Sequence, residues 1–378
     1  MKKRPIGIGM IGCGWMCKAH SNAYITSRYM NWTNCDYEPV LKIVGGQDAE
    51  EGREAAQRFG FERFTSGWHD IVTASDVLIV DNVTPDHLHM QPSIEAAQNG
   101  KHVICEKPLA VEPADAKKML EAVNEAGVKH ACGFIYRMFP AIQYAKELIA
   151  NGEIGKIYHF TGKYYQEQGR DPSTPVEDVW YINWSGIGQG ITSHMIDMSR
   201  FLVGEIDEVI GMTKTYNNIR DSKKGPVEVT ADEGFFSLVN FHNGASGIYD
   251  SLGVGTGKGS EFSFEIFGTK GSITWNVLYP NDLNLCLKDT KNPTEHGYTN
   301  INITDPSHPL MNMWWPKGHN LGWEHGHINL ITHFLDCVAN DKSVGPMAGT
   351  FDDGYKVSVI IRAIMESAKT GQKVPIVY

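Results

Sequence analysis

The chain has 378 residues, 42% of them apolar and 21% charged, and a formal charge of −10 spread along its length. That length exceeds one comfortable core and implies two domains. No apolar run approaches the ~20 residues of a membrane span, and the absence of a basic block disfavours nucleic acid and anionic lipid as partners, leaving a small neutral substrate as the better fit.

The N-terminus, MKKRPIGIGMIG, starts basic, but its apolar stretch is short, broken by glycine and runs straight into a turn, which argues against a signal peptide. The seven cysteines, Cys13, Cys17, Cys35, Cys105, Cys132, Cys286 and Cys337, include no CxxC pair. This is the thiol usage of a reducing compartment, and the expected location is the cytoplasm. Cys13 and Cys17 alone cannot make a tetrahedral metal site, so no metal is expected.

In the first third, short β-branched runs alternate with helical patterns. IGIGMIG, VLKIVGG, DVLIVDN, HVICEK and KHACGF read as strands, and EEGREAAQRFG, MQPSIEAAQNG and ADAKKMLEAVNEAG as helices closed by glycine. Such alternation predicts a doubly wound parallel sheet, and the unbroken hydrophobicity of the strands agrees, since parallel strands are covered on both faces. The first turn, GMIGCGWMCKAH over residues 9–20, follows a strand and opens a helix, as in a Rossmann unit. There Gly12 allows the tight bend, Gly14 lets backbone N–H groups approach a pyrophosphate, and Cys17 is small enough for the third, packing position. Trp15 and Met16 complete the turn. Asp48, at the end of the second strand, is placed to accept from a ribose 2′-hydroxyl and to repel a 2′-phosphate, which favours NAD over NADP; a solvated turn residue is the plainer alternative. NVTPDHLH, with Thr84, Pro85 and His89, and KHVICEKPLA, with Glu106 and Lys107, close later strands and open onto the same crevice.

After residue 133 the strands become longer and more aromatic, and several are joined by turns such as HNGA and GTKG, which predicts a mostly antiparallel sheet. One helix, SHMIDMSRFLVG, interrupts it and two more, HINLITHFLDCVAND and GTFDDGYKVSVIIRAIMESAKTG, follow. The polar stretch from Tyr279 to His325 reads as a long functional loop region rather than packed core. The expected architecture is thus α/β: an N-terminal Rossmann doubly wound parallel sheet over residues 1–133, then a C-terminal α+β domain over 134–378 built on a large mostly antiparallel sheet, for substrate binding and oligomerisation.

GCGWMCKAHSNAY, TPDHLH and CEKPLA, followed by YRMFPA, GEIGKI and SHMIDM, resemble the Gfo/Idh/MocA family of sugar and cyclitol dehydrogenases along nearly the whole chain. Oxidising a secondary alcohol needs a cation that lowers the hydroxyl pKa and a base near neutrality. Lys107 suits the first role or a share of the proton transfer, with a surface salt bridge as the plainer alternative, and His194, with an unperturbed pKa of ~6.5, suits the second, with a satisfied helix-start histidine as its alternative; the resemblance implies that both line the substrate site. Many relatives carry Asp four residues before this histidine, where this chain has Gly190. Asp197, one helical turn after His194, can orient the imidazole or be a helix-surface acid.

Sugar sites also use planar hydrogen-bonders and aromatic platforms. The candidates are Tyr136 and Arg137, Tyr164 and Gln166 on one face of a strand, Trp180 and Trp184, and the late segment WWPKGHNLGWEH with Trp323. For Trp314 and Trp315 an oligomer interface is an equal alternative. The resemblance implies an NAD-dependent dehydrogenase acting on a ring hydroxyl, C3 in the anhydrosugar- and glycoside-oxidising members, and a dimer or tetramer of identical chains. An inositol 2-dehydrogenase, a non-catalytic sugar- or nucleotide-binding regulator and a structural oligomer subunit are the alternatives.

Overall fold

The computed structural model describes residues 3–30, 36–183, 185–289, 294 and 296–378, with Asn183 by its backbone alone. Cys35 and Trp184 therefore lie outside the described residues. Two compact units emerge, residues 1–139 with 322–355 and residues 140–321 with 356–378.

In the first unit, six strands form one sheet: β1 (Arg4–Ile11), β2 (Tyr37–Gly45), β3 (Arg63–Thr65), β4 (Ile79–Asn82), β5 (His102–Cys105) and β6 (His130–Cys132). Their order is β3-β2-β1-β4-β5-β6 and every pairing is parallel. Ile8, Met10, Ile79, Val80, Val103 and Ile104 are fully buried, as strands covered on both faces require. The connecting helices are α1 (Trp15–Met30), α2 (Ala49–Phe59), α3 (Trp68–Val72), α4 (Met90–Gln98) and α5 (Pro113–Glu125). The strand order reverses between β1 and β4, so the crevice that binds ligands in such sheets lies beyond their carboxyl ends. β3, a three-residue edge strand, carries too short a pattern to be read from the sequence.

The second unit opens with α6 (Pro140–Ala150) and β7 (Ile157–Gln166), then α7 (Trp180–Asn183) and α8 (Ser193–Leu202). β8 (Ile206–Lys214), a small ribbon of β9 (Ile219–Arg220) with β10 (Val227–Glu228), β11 (Gly234–Phe241), β12 (Ser246–Leu252), β13 (Ser260–Gly268) and β14 (Gly271–Asn276) follow. β15 (Asp282–Leu287), β16 (Thr299–Asn302) and the C-terminal β17 (Val374–Pro375) complete a nine-stranded sheet, ordered β16-β15-β14-β13-β7-β12-β11-β8-β17. Its one parallel pairing is β12 with β7. One face is apolar and closed, built on Phe160, Phe235, Tyr249, Phe262, Phe264 and Trp275. α8 lies on that face: a Cβ at Gly162 of β7 would stand 2.3 Å from the Met195 sulfur.

Two features depart from the expected organisation. The 279–325 stretch is not one loop, because it supplies β15 and β16 and buries Leu283, Ile303, Met311 and Leu321; the asparagines and prolines at its turns hid short strands with an apolar residue only every few positions. The second departure is that α9 (Glu324–Ala339) belongs to the first unit, where it packs against α1, so a single cut after residue 133 does not describe the division. The final helix, α10 (Phe351–Thr370), enters the second unit from residue 356.

Candidate active site

The first turn of the first unit has the conformation its glycines predict. Gly12 has φ of +111°, and a Cβ there would sit 3.0 Å from the Val83 carbonyl carbon and oxygen, so the turn tolerates no side chain. Nothing lies within 4 Å of a Cβ built at Gly14, which leaves open space over the start of α1. Backbone N–H groups at such a helix start attract phosphate, and these residues fit a dinucleotide's pyrophosphate. Asp48 caps α2: its Oδ1 accepts the N–H of Glu50 at 2.6 Å and of Glu51 at 3.2 Å. Both bonds fall on one oxygen of an exposed carboxylate, so capping and ribose binding are compatible at this position.

Asn82, at the end of β4, shapes the next turn. Its Oδ1 accepts from the Thr84 hydroxyl at 2.7 Å, and its amide donates to the His89 carbonyl and to Ser93. His89, expected at the cofactor, is buried between two turns. Its ring is 1% exposed, with Nε2 2.8 Å from the Thr84 carbonyl oxygen and Nδ1 2.9 Å from that of Pro108. It pins the Thr84–Pro85 turn to the Glu106–Lys107–Pro108 turn, and burial lowers its pKa.

At the end of β5, Glu106 is buried with both oxygens engaged. Oε1 lies 3.2 Å from His20 Nε2, and Oε2 accepts the Lys107 backbone N–H at 3.1 Å. His20, on α1, reaches Asp81 at the end of β4 with Nδ1 at 2.8 Å. Burial alone would push the His20 pKa down, but the two carboxylates overcome it and raise it to about 10. For Glu106, burial pushes up while the His20 hydrogen bond and charge, with Lys107, outweigh it and bring the value to about 2. Lys107 is desolvated, which lowers its pKa against the opposing pull of Glu106, Asp86 and Cys132. A cation destabilised in this way stands closer to proton exchange at neutral pH than a surface lysine does.

Trp15 is 68% exposed and stacks on Trp323, with ring centroids 5.3 Å apart and planes 12° from parallel. The expected cofactor-side and substrate-side aromatics are therefore brought together. Met16 is half-buried in the first turn of α1. His327 meets Trp323 edge-on at 4.6 Å. Arg137, expected at the sugar, has its guanidinium 3% exposed and paired with Asp353 at 2.9 Å. Tyr136 is equally buried, against Phe139.

In the second unit, α8 is preceded without a break by one turn of wider, π-type helix over Gly188–Thr192. Such insertions re-aim side chains and concentrate at functional sites. Asp232, which sequence reading passed over, holds its start, accepting the Gly188 N–H on Oδ2 at 2.7 Å; burial raises its pKa to about 6. Thr192 Oγ1 donates to Ser251 at 2.9 Å. The helix thus fixes His194, 7% exposed, with its ring centroid 6.4 Å from that of Tyr164. Tyr164 and Gln166 share the closed face of β7 and both approach the Ser260 hydroxyl, at 3.4 and 3.3 Å. Gln166 Oε1 is buried with no hydrogen-bond partner among the described residues, an acceptor available to a hydroxyl ligand. Asp197 is buried on the same helix. At Gly190, a Cβ would stand 2.2 and 2.5 Å from two ring carbons of Trp180, so the indole fills the space that a side chain at this position would need.

Residues 6–134 match the family model of oxidoreductases with an NAD-binding Rossmann fold, and residues 142–274 match the C-terminal domain of the same family. Among characterised proteins, a levoglucosan dehydrogenase of Pseudarthrobacter phenanthrenivorans is 36% identical, over 96% of each chain. A scyllo-inositol 2-dehydrogenase (NAD+) of Bacillus subtilis is 29% identical over 73% of this chain and 75% of its own. A solved levoglucosan dehydrogenase in complex with NADH and levoglucosan superposes with a TM-score of 0.94 at 35% identity, covering 99% of this chain and all of the other. The glycine turn, the Glu106–Lys107–Pro108 strand end and the large sheet therefore stand in a known context: the chain belongs to the Gfo/Idh/MocA family of oxidoreductases, with an NAD-binding Rossmann domain.

Proposed function

We propose that this chain is an NAD-dependent dehydrogenase that oxidises a ring secondary hydroxyl, at C3, of a sugar or glycoside to the ketone, with anhydrosugars such as levoglucosan the leading class. The observation that carries this reading is the likeness, along the whole chain, to a levoglucosan dehydrogenase whose structures hold NADH and levoglucosan. Nicotinamide, when bound, takes the hydride. The chain's own residues handle the proton and the orientation. Lys107, desolvated at its strand end, lowers the pKa of the reacting hydroxyl. His194, held by the π-turn and Asp232, accepts the proton, with Asp197 on the same helix orienting it. Tyr164, Gln166, Trp180 and Trp323 supply hydrogen bonds and ring platforms to the sugar. Gly12, Gly14, Trp15, Met16, Asp48, Thr84 and Pro85 hold the dinucleotide, and Asp48 selects NAD.

The exposed face of the sheet carries Ile210, Leu238 and Ile248 in register across β8, β11 and β12, which supports a homo-oligomer, measurable by light scattering. No helix of the described residues is long and apolar enough to cross a membrane, and six described cysteines are free thiols, which supports a cytoplasmic setting.

The test is reduced-nicotinamide absorbance on stepwise addition of anhydrosugars, glucosides, free hexoses and inositols, at enzyme concentrations that resolve one turnover. Levoglucosan or a glucoside should give the signal, and Lys107→Ala should abolish it while NAD still binds. A signal with inositols alone moves the substrate to the cyclitols. Silence with NAD bound leaves a nucleotide-binding protein without turnover.

A further inference from the structure

A buried charged chain that the proposed chemistry does not use joins Asp81, His20 and Glu106, with His327 beside it. Its members are far apart in sequence and meet because α1, the ends of β4 and β5, and α9 converge in the first unit. His20 and Asp81 are fully buried, and both His20 nitrogens end on carboxylate oxygens. An imidazole so placed donates from both nitrogens and is an imidazolium. We propose that His20 and Asp81 are positioning residues for Lys107: they clamp one oxygen of Glu106, whose other oxygen holds the Lys107 amide and thereby sets the Glu106–Lys107–Pro108 turn. This inference rests on Lys107 acting in the reaction.

Donor atoms of His20, Glu106 and His327 fall within 4.8 Å of one another, which makes a metal centre the competing reading. Geometry and charge decide against it. A divalent ion needs a lone pair on His20 Nε2, and that nitrogen is directed at Glu106 as a donor. In the imidazolium state, Asp81, Glu106, His20 and the Lys107 ammonium sum to zero. Replacing that proton by a divalent ion leaves a buried surplus positive charge, which is costly. His327, with neither ring nitrogen hydrogen-bonded among the described residues, is the neutral wall of the cluster: burial and the His20 charge lower its pKa to about 3.

The titratable groups facing Lys107 include Glu106, Asp86, Cys132 and His327, and those facing Glu106 include His20, Lys107, His327, His89 and Cys105. The test uses the full chain with NAD present. Acetic anhydride labelling of Lys107, followed by mass spectrometry across pH, gives its titration midpoint without any sugar. His20→Gln, which keeps a neutral donor toward Glu106, should move that midpoint upward, because a cation beside the carboxylate partner of the ammonium is gone. It should also lower kcat about tenfold or more, with KM within about threefold. Asp81→Asn should give a smaller loss of the same kind and serves where His20→Gln does not fold. An unmoved midpoint with unchanged kcat, in a protein that merely melts earlier, overturns the proposal, as does a stoichiometric divalent ion found by elemental analysis. Because labelling needs no sugar, a substrate panel without turnover overturns only the reading on which the inference rests.

Discussion

Gly190→Ala is the smallest perturbation that asks whether the Trp180 ring fills the space at residue 190. The added Cβ would lie 2.2 Å from Cη2 and 2.5 Å from Cζ3 of Trp180, against ordinary carbon contacts of about 3.5–4.0 Å. No rotamer relieves this, because a methyl group has none. The indole must swing out, or the π-turn must shift. Overpacking of this kind costs about 1–3 kcal/mol, and the partial exposure of Trp180 favours the lower end because the ring can move toward water. For a unit of this size that is a fall in melting temperature of roughly 2–12 °C. The decisive assay is a double-mutant cycle by denaturant unfolding over wild type, Gly190→Ala, Trp180→Leu and the double variant. Removing the indole makes room for the methyl, so the double variant should recover about 1 kcal/mol or more relative to the sum of the singles. Additivity within about 0.5 kcal/mol would refute the claim that the ring fills the space at residue 190. The same contact means that Gly190→Asp alone should not supply a working carboxylate, whereas Gly190→Asp with Trp180→Leu has room for one.

Gly12→Ala, at φ of +111° and 3.0 Å from the Val83 carbonyl, should weaken NADH binding in a fluorescence titration and lower the melting temperature together; unchanged affinity would mean that the turn does not hold the dinucleotide. Arg137→Met removes the buried cation that pairs with Asp353, which keeps the Thr350 N–H and hydroxyl, and should cost about 1–3 kcal/mol in denaturant unfolding; a raised KM with full stability would return Arg137 to the substrate. The two histidines of the buried cluster should titrate stability in opposite directions. His20, raised from 6.5 to about 10 in the fold, contributes stability that is complete below pH 6.5 and lost as pH rises toward 10. His327, lowered from 6.5 to about 3, contributes stability that is complete above pH 6.5 and lost as pH falls toward 3. Unfolding followed across both windows should show His20→Gln flattening the alkaline slope and His327→Gln the acid slope.

The parts of the fold legible in sequence are those whose signal is local. β1, β2, β4, β5 and β6 announce themselves as apolar runs bounded by glycine or charge, and the HNGA and GTKG turns join β11 to β12 and β13 to β14 as their composition requires. The glycine turn was legible because its geometry depends on Gly12 alone. What escaped depends on distant residues meeting. Nothing near His20 announces Glu106, 86 positions away, and nothing near Gly190 announces an indole ten residues earlier. Nothing near Arg137 or His89 announces Asp353 or the Thr84 and Pro108 carbonyls, which they meet in the fold.

The return of α9 to the first unit bears on the order in which the protein is built. A ribosome adding ~5–20 residues per second needs on the order of ten to forty seconds to pass from residue 139 to residue 322. Throughout that interval the flank of α1 that α9 will cover stays wet, and His20 awaits the neighbour it meets in the finished fold. The nascent dinucleotide domain is therefore a fragment with one side missing. Its completion is tied to emergence of the segment that carries Trp323 and His327, so folding of the nucleotide-binding unit reports that residues 140–321, most of the second unit, have already been made.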